Sequence, residues 1–357
     1  MILTANDFVN VRLGRPSVNA ENPAFLSPGK TVKARARVIG DTVNHNSKWI
    51  LTEENEFLSE EGFVKSRELS NMPISVANTS NSPLFNALKI PELWKISMGE
   101  DVKIGIIDNG VHIPSLGNIV KHMNDHPPLS DVGHGTTMAC IIGSLDEANG
   151  KVGVAPKVSG IYSYFLNIQE GICKITANDL LVALDALNQQ GVKVINMSFA
   201  CSEPTFMPTE PDAKKLQQKI NELVKNGCLL IASCGNERVR TRDVFPASYE
   251  NVISVTGYIS SGNELNRQSN YWPGTSVALP VSNYYSDFQT KNSNGTSSAS
   301  AILSGFLACI YNHIGSEKHK IIMSAISRLD GLTDKRLKIN IPRFNTDSFL
   351  HNLNTLI

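Results

Sequence analysis

Four short segments of this 357-residue chain carry side chains whose types and spacing could do acyl-transfer chemistry. Asp108-Asn109-Gly110 holds a carboxylate just before a turn-forming glycine, where it can orient an imidazole. Gly133-His134-Gly135-Thr136 sets the side chain that titrates nearest neutral pH between two glycines, which let another backbone approach closely. Asn294-Gly295-Thr296-Ser297-Ser298-Ala299-Ser300 opens a long apolar segment, so the Ser297 hydroxyl sits beside free N–H groups and the positive end of a helix dipole. Ala232-Ser233-Cys234-Gly235-Asn236-Glu237 follows an apolar run, and a loop Asn beside a glycine can donate to a developing oxyanion. Singly, each has an ordinary structural explanation as a turn, a packing site or a helix cap. Together, in the order Asp, His, Ser, they form a far more specific set.

The elements that must position these groups follow from the apolar pattern. Strand-length apolar runs at 102–107, 158–163, 192–197, 228–232 and 252–255 alternate with helical stretches at 136–142, 176–190, 211–226 and 317–329. Residues 341–345 read as a loop into a final helix. Near-continuous apolar strands separated by helices predict an α/β fold with a mostly parallel, doubly wound sheet covered on both faces. Such a sheet binds its ligands beyond the carboxyl ends of its strands, where the four segments fall. The first 70 residues differ: short alternating segments, such as 31–38, are separated by turns, which predicts a small all-β barrel. Residues 71–92, rich in Asn, Ser and Pro, read as a linker, and 93–357 as the catalytic domain.

Across about residues 93–350 the chain resembles the subtilisin-like serine peptidases, the subtilases. The motifs above stand in that family's order. Gly153-Val154-Ala155-Pro156, Asn196-Met197-Ser198, Phe245-Pro246-Ala247 and Val252-Ile253-Ser254-Val255 extend the likeness. The resemblance implies a serine endopeptidase, with Asp108 as orienting acid, His134 as general base, Ser297 as nucleophile and Asn236 as oxyanion donor. It also implies that Ser198, Phe199 and Ala200 wall the specificity pocket and bind substrate backbone. The chain departs from the family pattern at Asn109, Ser298, Ala200 and Ala301, none of which removes a catalytic group. The segment from Val9 to Ser17 resembles the opening of bacterial SH3-like domains, apart from an extra Arg15. Such modules bind peptides, cell-wall fragments or partner proteins. Residues 1–70 are therefore expected either to recruit a regulatory partner or to pack on the catalytic domain as an appendage.

Composition narrows the partners. Thirty-three basic and 33 acidic residues give no net charge, which argues against nucleic-acid binding. No apolar run approaches the roughly 18 residues needed to span a bilayer. Without a visible secretory signal, the six scattered cysteines read as reduced thiols and the protein as cytoplasmic. With no visible pro-segment either, a narrow substrate range or a latent state released by a partner is expected to restrain the enzyme. The chemistry requires no cofactor and no metal. Family habit suggests calcium, and residues 145–150 offer oxygen ligands, against the equal weight of an ordinary solvated turn. The competing function is a catalytically silent scaffold on a peptidase fold, against which the four retained groups argue.

Overall fold

A computed structural model describes residues 2–6, 8–13, 24–43, 46–53, 56–63, 87–112, 119–125, 133–146, 151–169, 172–173, 175–202, 204–259, 264–281, 295–334 and 337–357. The chain divides into two compact units, Met1–Ala87 with Leu145–Val152, and Leu88–Ser144 with Gly153–Ile357. Residues 71–86 of the expected linker, residues 14–17 of the segment around Arg15 and residues 147–150 of the suggested calcium loop lie outside the described residues.

In the first unit, six strands form an antiparallel sheet: β1 (Ile2–Thr4), β2 (Val9–Leu13), β3 (Ala24–Leu26), β4 (Thr31–Val43), β5 (Asn46–Thr52) and β6 (Glu56–Ser59), in the order β1-β4-β5-β6-β2-β3. Leu3, Val9, Ala34, Ile50, Leu58 and Phe63 meet in its small core. After β6 the chain makes a 3-10 turn, Glu60–Gly62, followed by a single bridge from Phe63 to Ala5. Simple alternation in β4 would leave Arg37 exposed. A register shift between Ala34 and Ala36 reverses the faces, and Arg37 turns inward. There its Nε and Nη2 donate to the two Glu60 carboxylate oxygens at 2.9 and 3.0 Å, with both residues buried.

The second unit begins with a short helix, α1 (Ile90–Leu93), and is built on the strands β7 (Lys103–Asp108), β8 (Val120–His122), β11 (Gly160–Phe165), β14 (Val194–Met197), β15 (Leu229–Ser233), β16 (Ile253–Ile259), β17 (Glu264–Leu265) and β18 (Val277–Pro280). Their order is β17-β16-β15-β14-β7-β11-β8, with β18 beside β16. Every pairing is parallel except that of β17. The two-residue strands β12 (Ile168–Gln169) and β13 (Ile172–Cys173) pair with each other outside this sheet, while the hairpin of β9 (Leu145–Asp146) with β10 (Lys151–Val152) belongs to the first unit. The principal helices are α2 (His134–Gly143), α3 (Ala177–Gln189), α4 (Pro211–Lys225), α5 (Thr296–Ile310), α6 (Lys318–Ser327) and α7 (Thr346–Asn354).

Side-chain alternation along β14 shows how the layers are arranged. Ile195 and Met197 pack with Leu180, Leu184 and Leu187 of α3 and with Leu216 and Ile220 of α4. Asn196 points to the other face, where its Oδ1 accepts from Ser304 of α5. Helices therefore cover both faces, α3 and α4 on one and α5, against which α2 packs, on the other. Thr176 starts α3 with a reciprocal capping box to Asp179. Phe306 meets Phe344 and Phe349 edge-on where the C-terminal segment reaches α5.

The reading of six reduced thiols needs one correction, because Cys201 is disulfide-bonded. Pairing depends on which cysteine the fold brings near, and linear spacing does not carry that. Cys140, Cys228, Cys234 and Cys309 are free and buried. Among the described residues no helix is long and apolar enough to cross a membrane, and no cluster of three or more His, Cys, Asp or Glu is placed to hold a metal.

Candidate active site

The parallel sheet brings the carboxyl ends of β7, β14 and β15 to one edge, and the order in which strands are added reverses between β7 and β14, with β8 and β11 on one side and β14 and β15 on the other. That is where an open sheet offers a crevice. Asp108 is the last residue of β7, Ser198 follows β14, and Asn236 lies three residues past β15.

Two helices present their N-termini to this edge. Both are built from apolar and small hydroxyl residues and are buried on nearly all sides. Every residue of α2 is buried except His134, and every residue of α5 is buried except Ser297. The sequence places the start of α2 at residue 136. It begins two residues earlier because Gly133 serves as N-cap without a side-chain bond that would mark it.

Asp108 is 1% exposed and His134 largely accessible. His134 Nδ1 lies 2.8 and 3.0 Å from the two Asp108 oxygens. A carboxylate only accepts, so Nδ1 carries the proton and Nε2 is left as the basic nitrogen. The Asn109 N–H also donates to Asp108 Oδ1 at 2.8 Å, and the Asn109 side chain accepts from the Gly135 N–H at 2.9 Å. The latter bond ties the start of α2 to the end of β7. The approach is so close that a Cβ on Gly135 would lie 2.3 Å from the Gly110 carbonyl oxygen.

Ser297 belongs to a second cluster. Its Oγ donates to the Ser198 carbonyl at 2.9 Å. The Ser198 hydroxyl accepts from Asn196 Nδ2 at 2.7 Å and lies 2.9 Å from Ser300 Oγ and 3.0 Å from the Ser297 carbonyl. Of the three expected wall residues, Ser198 and Phe199 are buried and Ala200 is half-buried. The Phe199 ring is part of the core between the sheet and α3 and α4, which leaves its backbone as the group able to meet a ligand.

Asn236 is exposed. Its Oδ1 accepts from the Thr296 N–H at 3.1 Å and from Thr296 Oγ1 at 3.2 Å. Since the backbone N–H can only donate, the oxygen of the carboxamide faces Thr296 and the NH2 end is turned away from it. Gly235 precedes it at φ +90°, a conformation that favours glycine. Sequence reasoning missed Thr296, which was visible only as a neighbour of Ser297. It also missed Asn270, a fully buried residue that grips the backbone on both sides of Asn236 and carries no local signal.

Comparisons with known proteins agree with this architecture. The subtilase family model matches residues 99–329. Thermitase of Thermoactinomyces vulgaris is 30% identical over 246 residues, 64% of this chain and 83% of its own length. The major intracellular serine protease of Bacillus subtilis (strain 168) is 30% identical over 248 residues, 64% of this chain and 74% of its own. Among solved structures, MycP1 with its N-terminal propeptide removed matches with a TM-score of 0.60 at 22% identity, over 75% of this chain and 96% of that one. The prenylagaramide maturation protease PagA matches at 0.59 and 20% identity, over 74% and 98%. The two structural matches bear on the fold, and the family model with the two relatives on the chemistry: the chain belongs to the subtilase family of subtilisin-like serine endopeptidases.

Proposed function

We propose that this chain hydrolyses peptide bonds of protein substrates with Ser297 as nucleophile, His134 as general base and acid, Asp108 as the orienting carboxylate and Asn236 as oxyanion donor. The observation that carries this reading is the 2.8 Å contact between His134 Nδ1 and the buried Asp108. It fixes the tautomer whose Nε2 can take a hydroxyl proton. A serine hydroxyl is a poor nucleophile at neutral pH until that proton is removed.

In the first half-reaction, Ser297 Oγ attacks the scissile carbonyl while its proton passes to His134 Nε2. Asp108 stabilises the imidazolium that forms. Asn236 Nδ2 and the Ser297 N–H bind the oxyanion, and His134 returns the proton to the leaving amine. Water, activated by the same imidazole, then releases the acyl group. Every step uses protein groups alone, without a cofactor. Losing the Asn236 donor removes about 3 kcal/mol of transition-state stabilisation.

A hydroxyl has one hydrogen to donate, and here Ser297 gives it to the Ser198 carbonyl. For attack the hydroxyl must leave the Ser198 carbonyl and turn its proton towards His134 Nε2. Backbone at Ser198, Phe199 and Ala200 would pair with the substrate strand. Residues 1–70 would recruit a partner that regulates the enzyme.

The test is active-site labelling. The folded wild-type protein should react with a fluorophosphonate probe and cleave peptide substrates, and Ser297→Ala should do neither. A folded wild-type protein inert to the probe and to every substrate would establish a silent scaffold instead.

A further inference from the structure

We infer that Asn270 is a positioning residue for the oxyanion loop, holding Asn236 in place through the backbone on either side of it. The inference rests on the proposed role of Asn236.

Asn270 lies between β17 and β18, remote in sequence from the residues of the proposed machinery, yet it is 0% exposed. Its Oδ1 accepts from the backbone N–H of Glu237 and of Val239, both at 3.0 Å. Its Nδ2 donates to the Cys234 carbonyl at 3.0 Å and to the Glu237 carboxylate. Its own N–H donates to the Gly235 carbonyl at 3.0 Å. The side chain thus uses its donors and its acceptor on residues 234, 237 and 239, and its backbone takes residue 235. Asn236 is the residue these bonds enclose.

The clamp is fixed to the sheet. Thr256, buried in β16, donates its hydroxyl to the Asn270 carbonyl at 2.7 Å. The Cys234 N–H donates to Val255 of the same strand at 2.9 Å. Both ends of the loop's anchorage therefore refer to β16. From the other side, Thr296 holds the Asn236 carboxamide by its oxygen. Two independent grips, one on backbone and one on side chain, leave the Asn236 NH2 group little freedom. An oxyanion donor requires this, because its contribution depends on being aimed before charge develops. The set calls for a carboxamide. Asp would face the Cys234 carbonyl and the Glu237 carboxylate with an acceptor, and a hydroxyl residue is too short to bridge residues 234 and 239.

The test is a double-mutant cycle on kcat and KM for a peptide substrate, with Asn270→Ala, Asn236→Ala and the pair. Asn236→Ala should lower kcat by about 10²–10³-fold. Asn270→Ala should lower kcat by about 10²-fold with KM nearly unchanged, as expected for a displaced donor. In the Asn236→Ala background, the same change should alter kcat by no more than about threefold, since residues in one unit are not additive. Wild-type kcat in folded Asn270→Ala, or losses that multiply in the pair, would overturn the inference. Wild-type kcat in Asn236→Ala would instead remove the reading on which it rests. If Asn270→Ala does not fold, Asn270→Asp serves in the same cycle. It keeps the acceptor for Glu237 and Val239 and loses the donors to the Cys234 carbonyl and the Glu237 carboxylate.

Discussion

The Asn236 side-chain oxygen accepts two hydrogen bonds from Thr296, one from its backbone N–H at 3.1 Å and one from its hydroxyl at 3.2 Å. The first satisfies an N–H that the opening turn of α5 leaves without an intrahelical partner. The helix whose second residue is Ser297 is thus capped from outside by Asn236, since its own N-cap, Gly295, has no side chain to do so. Capping and aiming are one interaction: the bond that completes the helix also decides which end of the carboxamide faces away from it. The Thr296 hydroxyl extends the relay by accepting from the Gly235 N–H at 3.1 Å.

Thr296→Val keeps the shape of this buried residue and removes the relay. The Gly235 N–H is left unpaired, a loss of about 1–3 kcal/mol in folding stability. The carboxamide keeps one of its two anchors, so kcat should fall about tenfold, or roughly 1.4 kcal/mol of transition-state stabilisation, with KM little changed. Thr296→Ser, which retains the hydroxyl, should stay near wild type. Steady-state kinetics and urea unfolding of the two variants measure both effects. Equal kcat in Val and Ser variants would show that the hydroxyl has no part in aiming Asn236.

Gly135→Ala tests the joint between β7 and α2. The added Cβ would meet the Gly110 carbonyl oxygen at 2.3 Å and Asp108 Cβ at 3.0 Å, so backbone must move. Overpacking of this kind costs about 1–3 kcal/mol. Because the strain separates the strand bearing Asp108 from the helix bearing His134, kcat should fall by about 10²-fold as well. A stable Gly135→Ala protein with normal kcat would mean that the contact tolerates displacement.

The fold was legible because strand-length apolar runs alternate with helical stretches, as a parallel sheet covered on both faces requires. Candidate site residues stood out only where they belong to a compact motif, as Ser297 does within Gly295-Thr296-Ser297. Asn270 was invisible for the opposite reason. Within Gln268-Ser269-Asn270-Tyr271 it has the composition of an ordinary polar loop, and its meaning lies in bonds to residues more than thirty positions away. The inward turn of Arg37 was hidden because one bulge inverts a strand's two faces, and the disulfide at Cys201 because pairing is set by the fold. In each case a long-range geometric fact had no local trace.

The buried pair in the first unit should behave asymmetrically on mutation. Arg37→Met alone strands the Glu60 carboxylate in the interior and should destabilise by about 3–5 kcal/mol. Arg37→Met with Glu60→Leu replaces both charges with apolar groups and should lie close to wild type. Urea unfolding of the full chain, followed by hydrogen exchange in β4, β5 and β6, separates the two cases. A double variant as unstable as the single one would show that the pair itself contributes the stability.

The free thiols should be inert in the folded protein. Burial pushes Cys228 up to about 12 and raises Cys234 and Cys309 well beyond the usual thiol range. The thiolate is the reactive species, so near pH 8 almost none is present, and reagents cannot reach the sulfur. Iodoacetamide should leave these three cysteines unmodified in the native state and alkylate them in guanidinium. Rapid native labelling at Cys234, which directly precedes Gly235, would reveal that the oxyanion loop opens.

Glu100 gives the second unit an acid-sensitive contact. Burial works to raise the pKa of its carboxyl. Hydrogen bonds from its own N–H, from Ser97 Oγ and from the Met98 N–H outweigh that effect, helped by the charge of Lys157. The result lies near 2, against 4.5 when unperturbed. A carboxyl whose folded pKa is depressed stabilises the protein above the unfolded value, and that stabilisation is lost as pH falls through the folded value. Glu100→Gln should therefore lower the Tm at neutral pH. The gap to wild type should narrow as pH drops from about 4.5 through about 2 and close below it, where both carry a neutral side chain. Calorimetric scans across that range decide the matter, because a gap constant with pH would mean that Glu100 acts through packing and neutral hydrogen bonds rather than through its charge.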